Sequence, residues 1–280
     1  MLAEQALFNI LDEKIRTDKL ILPTLPDIAL QVRQMSADPA VSLHDMAGII
    51  SQDPALAARM IKVANSAFLG RSIKVTTLNQ AVTRIGLSQI KNIATAMAIE
   101  QLFVSKNRLI QKWLGKVWSN STRCAATAVA CLHFYNTKHE QTGLNTDVMA
   151  LSALIYNIGA LPVLSELERQ QDLLGNPVFL AGLIDKVAAR IGEKIVQAWG
   201  FTEEFRQVVT GWRDLRPEKN GVSYTDFIRL SAISDGYYTD KAAQQRLLNY
   251  YVAAQLVPVP VFMKQAEIVN VYQDIRAVFH

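Results

Sequence analysis

The side chains in this 280-residue sequence that could hold a metal or attack a substrate are four histidines, two cysteines and a scatter of carboxylates. His133 and His139 are six apart, so a continuous helix would turn them to different faces, and a polar loop is expected to begin between them. His44 and His280 stand alone, and no histidine has the spacing of a metal-ligand pair. Cys124 and Cys131 lie seven apart in a segment that reads as helix. Two turns at about 5.4 Å each separate them beyond disulfide reach, so both are expected to be small core residues kept reduced. Asp53 is the sharpest carboxylate, but Pro54 follows it. An Asp side chain satisfies the orphan amides of a helix start and proline loses no bond there, so the pair reads as an N-cap and not as a catalytic group. The G-x-x-x-x-G-K, H-E-x-x-H, C-x-x-C and G-x-S-x-G signatures are absent.

Charge points the same way. Lys and Arg total 29 against 25 acids, a net charge of +4 and a pI near 9.0. Basic residues gather at Arg71, Lys74, Arg84 and Lys91 and again from Lys106 to Lys116. Both groups read as solvated helix faces, and Trp113 and Trp118 between the second group fit an apolar core face. Nucleic acid is therefore not an expected partner; weak binding to any polyanion at low salt is.

The elements that must position these residues are helical. Half the residues are hydrophobic and 19% charged, while 13 Gly and 9 Pro are too few for an all-β chain that turns every few residues. Ser42 can cap a helix bearing Leu43, Met46 and Ile50, and Asp53-Pro54 starts one that ends near Asn65-Ser66. That polar pair is expected to bond the frayed groups of the helix end, with a ligand or partner site as the alternative. Thr76 or Thr77 opens a short helix that Gly86 closes in the left-handed conformation, and Ser88 starts another. One long helix spans about Arg108 to His133, and a polar stretch runs from Asn136 to Asn145. Further helices are expected up to Gly159, from Leu161-Pro162, up to Gly200, after Thr202, around Phe227 to Ile233, around Leu247, and beyond the break at Val257-Pro258-Val259-Pro260. No apolar run approaches the roughly 20 residues of a membrane span, and Met1 to Ile10 carries no leader-like basic cluster.

Leu22-Pro23-Thr24-Leu25-Pro26, Asp53-Pro54-Ala55-Leu56, Val63-Ala64-Asn65-Ser66-Ala67, and Ala81-Val82 with Ile85-Gly86 follow one another in an order and spacing that resembles the HD-related output domain (HDOD) of bacterial signalling proteins. The likeness continues through Trp118 to Ser121, Ala153 to Gly159 and Ala198-Trp199-Gly200, covering about Leu20 to Trp212. It implies an all-α, multi-helix bundle of HD-like type: an N-terminal helix over 1–19, the domain over 20–212 with an N-terminal lobe of short helices, and a helical C-terminal extension over 213–280.

The same resemblance implies kinship with HD phosphohydrolases, whose metal ions are held by a histidine, a consecutive His-Asp pair and a later aspartate. Asn120 stands here where the first histidine would fall and Tyr156-Asn157 where the pair would fall, with Asp235 a loose match for the aspartate. A neutral phenol and two amides do not replace imidazole and carboxylate for a divalent ion. The resemblance thus implies a non-catalytic, cytoplasmic regulatory module with neither metal nor cofactor, working through a signalling protein partner or a small ligand and away from any membrane. Asp53, Pro54, Asn65, Ser66 and Gly86, as family-motif residues, are its candidate ligand or partner site. The alternatives are a divergent metal-dependent phosphohydrolase and a binder of nucleotide or nucleic acid through the bases between Arg71 and Lys116.

Overall fold

The computed structural model describes residues 2–66, 73–168, 176–217 and 221–279; Ala67, Arg71 and His280 lie outside the described residues. Among the described residues there is helix and no strand, the all-α fold expected. Six helices come first: α1 (Leu2–Arg16), α2 (Asp27–Met35), α3 (Leu43–Ile50), α4 (Pro54–Ala64), α5 (Leu78–Ile85) and α6 (Leu87–Ala98). A 3-10 turn, Ile99–Leu102, leads to the long α7 (Arg108–Lys138). Then follow α8 (Thr146–Ile155), α9 (Ala160–Leu167), α10 (Pro177–Ala198), α11 (Glu203–Gly211), α12 (Tyr224–Ser234), α13 (Lys241–Ala253) and α14 (Ala266–Val278).

Local chemistry sets most helix starts. Ser42 and Asp45 form a reciprocal capping box at α3, and Thr77 with Gln80 forms another at α5. At α4 the Asp53 carboxylate accepts from the Leu56 amide at 3.0 Å with Pro54 in the first turn. The junction after α5 differs from expectation. Gly86 has φ +83° but ψ 152°, outside the left-handed helical basin and in a region essentially reserved for glycine. That geometry turns the chain straight into α6, which starts at Leu87 with Gly86 as its cap, so Ser88 caps nothing.

The long helix overruns its expected end at His133 by five residues. Tertiary anchors hold the extra turn: Asn136 donates to the Leu144 carbonyl at 3.1 Å and accepts from the Thr142 hydroxyl at 2.7 Å. No loop therefore separates His133 from His139; His133 is exposed, and His139 stacks on Tyr135 at 4.3 Å.

Helix α7, about 46 Å long at 1.5 Å per residue, is the spine on which α8, α12 and α14 pack. One hydrophobic cluster runs from Leu7 on α1 to Val278 on α14, and it takes in Phe227, Tyr251 and Ile275, so the helices after residue 212 are built onto the same core. Thr146–Leu167 corrects another expectation: it is long and apolar enough to cross a membrane by length and composition. It bends between α8 and α9, however, and 72% of its most apolar window is buried inside the protein.

Candidate functional site

Asn120, Arg123 and Cys124 sit on α7 at spacings of three and four, which puts them on one face. That face meets the turn after α8, carrying Tyr156 and Asn157, the end of α11, carrying Trp212 and Arg213, and the end of α12, carrying Ser231 and Asp235. The structure thus brings together Asn120, Tyr156 and the loosely matched Asp235 around one cavity of about 130 Å³, with Asn157 at its side.

Two arginines organise the site. Arg123 donates from Nε to Asp235 at 2.8 Å and from Nη2 to the Asn120 amide oxygen at 2.9 Å. Arg213 donates from Nη2 to the Asn157 amide oxygen at 2.7 Å, lies 4.2 Å over the Trp212 ring, and reaches Asp185 of α10 at 3.5 Å. Asp185 also accepts from the Tyr237 hydroxyl at 2.7 Å. Tyr156 and Tyr237 flank Trp212 with ring centroids 4.8 and 4.7 Å away. Burial pushes the Tyr156 phenol well above its ordinary value. Burial likewise lifts the Cys124 thiol to about 12 and raises the Cys131 thiol further; both cysteines are free.

This donor set does not fit a divalent metal ion. Both amide oxygens already accept from guanidinium groups, the phenol is held neutral, and each aspartate faces an arginine. A dication entering here would stand beside two resident cations in a partly desolvated pocket, where like charges repel strongly. Among the described residues no three His, Cys, Asp or Glu side chains gather as a metal would require.

The family-motif residues lie elsewhere, in the N-terminal lobe. Ser66 bonds the end of its own helix, donating to the Val63 carbonyl at 2.7 Å, as expected. Asn65 does not: its amide donates to the Val75 carbonyl and accepts from the Val75 N–H, both at 2.8 Å, and so closes the loop between α4 and α5. Val75 is buried, and two backbone groups would lose their partner together. Asn65→Ala is expected to cost about 2 kcal/mol, about 1 for each bond, read as a shift in the urea midpoint.

Arg123 could have been found from its spacing to Asn120. Arg213 and Asp185 carry no local signal, since their partners are brought in by the fold.

Residues 22–213 match the HDOD domain. Across its full length the chain is similar to a crystal structure of a provisionally named metal-dependent phosphohydrolase from Shewanella amazonensis SB2B, at 39% identity, full coverage of both chains and a TM-score of 0.94. An HDOD domain protein of unknown function from Geobacter sulfurreducens shares the fold at 19% identity and a TM-score of 0.60, over 99% of this chain and 98% of that one. An uncharacterised protein of Treponema pallidum (strain Nichols) is 24% identical over 193 residues, which are 65% of this chain and 36% of the relative, so the chain spans about a third of the curated relative it matches. With the domain match covering most of its length and a full-length relative at this identity, the chain belongs to the HDOD domain family.

Proposed function

We propose that the protein is a non-catalytic regulatory module that acts by contact with a signalling partner, its HD-type centre having become a structural joint. The observation that carries this reading is the pair of guanidinium groups: Arg123 and Arg213 bond Asn120 and Asn157, the two amides that the family resemblance sets at the ligand positions of the enzymes. Metal-assisted hydrolysis needs a fixed dication to acidify water and offset charge on the phosphoryl oxygens. A tyrosine held neutral by burial adds no anion to bind one. The two buried, reduced cysteines suit the cytoplasm.

The second reading, a divergent metal-dependent phosphohydrolase, draws on the name of the Shewanella relative. Elemental analysis of protein purified without chelator, with a phosphodiester assay across Mn, Mg and Ni, separates the two. Sub-stoichiometric metal and no turnover are expected. Near-stoichiometric metal, with turnover lost on Asn157→Ala, would overturn the regulatory reading.

A further inference from the structure

Helices α4 and α7 border a groove that is filled along one half and open along the other. In the filled half α14 lies against both helices, and Ile275 and Val278 share with Val63 and Val129 the lining of a residual gap of about 30 Å³. Arg276 there donates to the Thr122 hydroxyl at 2.8 Å, and Phe279 meets the edge of Trp118 at 6.3 Å. On the other side of Trp118 lies an open cleft of about 400 Å³, lined by residues of both helices. Its apolar floor is Leu56, Met97, Phe103 and Trp118. Asp53 and the Glu100–Arg59 ion pair stand at its rim, leaving one net negative charge.

Gly115 lines this cleft from the interior of α7. A Cβ there would meet no atom within 4 Å and the backbone is ordinary helix, so neither packing nor conformation requires glycine. Mid-helix glycine is less favourable than alanine. Glycine leaves this stretch of the cleft wall without a side chain, so a larger residue at position 115 would project into the cleft.

We infer that this cleft is a docking site for a segment of a partner protein that inserts a large apolar side chain beside a basic residue. The chain's own α14 shows that chemistry in the adjoining half: apolar anchors next to an arginine, with an aromatic ring against Trp118. The volume suits one or two side chains, and the negative rim suits a cationic neighbour. This deepens the reading of the protein as a contact module and rests on it.

The test uses the full chain labelled with 5-fluorotryptophan, whose four tryptophans give separable fluorine signals, with Trp118 assigned by Trp118→Phe. N-acetyl-Phe-Arg-amide and N-acetyl-Phe-Glu-amide are the probes. A saturable shift of the Trp118 signal is expected, at least threefold tighter for the Arg peptide, while Trp199 and Trp212 stay still. Gly115→Leu should weaken binding at least tenfold with Tm unchanged or raised. Absence of a saturable shift, equal affinity for the two peptides, or binding that survives Gly115→Leu overturns the proposal. So does a Trp118 shift produced instead by AMP, which would make the occupant a small ligand, or by concentrating the protein alone, which would make it a second copy. Each of these leaves the metal and turnover measurements untouched, so the two readings fail separately.

Discussion

Asp226→Ala should cost about 3–5 kcal/mol, a large share of the 5–15 kcal/mol typical of a folded protein. Asp226 and Arg229 are each 2% exposed and form an ion pair at 3.1 Å inside α12. The carboxylate also accepts from the Tyr251 hydroxyl at 2.8 Å and from the Ser223 amide at 2.9 Å, and Arg229 donates to the Gly211 carbonyl at 3.0 Å. The pair thus ties α11, α12 and α13 together. Truncating the acid takes from this interior guanidinium the carboxylate it pairs with inside α12, and the loss of that buried charge pair dominates the cost. Urea unfolding gives the number. The double variant Asp226→Leu, Arg229→Met should recover much of it, because burying neither charge removes the desolvation cost; a double variant no more stable than the single one contradicts the assignment.

Gly159→Ala is the second large effect, about 3 kcal/mol at the upper end of overpacking penalties. Gly159 has an ordinary helical φ of −63°, so the cost is not conformational. Its Cβ would sit 2.0 Å from the Ala188 carbonyl oxygen and 2.8 Å from the Gly192 nitrogen, both backbone atoms of α10 that cannot rotate away. Helices α9 and α10 would have to part. Gly192→Ala is the internal control: its nearest contact would be 3.4 Å from the Val209 side chain, so its urea midpoint should move much less.

Where a helix start is capped by a side chain it is legible in the sequence, because the cap is written within a few residues, as Ser42 with Asp45 and Asp53 with Pro54 show, whereas the uncapped start of α6 at Leu87 is not. The end of α7 is not, because Asn136 to Lys138 are polar and stay helical only through contacts that the 139–145 segment returns to them. Trp118 reads as core from its spacing and in fact borders an open cleft, since periodicity shows which face is apolar but not whether anything covers it. In the site, the family resemblance locates Asn120, Tyr156 and Asn157. Arg213 escapes it, lying 56 residues from the amide it binds and directly after a tryptophan that reads as core.

The two arginines also bear on how such a site changes over evolutionary time. On the proposed reading, a single substitution would not make it a metal site. Asn157→Asp would set a full carboxylate where the amide oxygen now lies 2.7 Å from Arg213, producing a stronger, charge-assisted bond to the guanidinium and not an open ligand. A histidine at Asn120 would in turn remove the amide oxygen that now accepts from Arg123 and set an imidazole beside that resident cation. An acid at position 157 thus tightens the grip of the resident cation before a metal could enter, so the site behaves as a ratchet: that change must wait for Arg213 to leave, and the loss of Arg123 would take from Asp235 the guanidinium it pairs with.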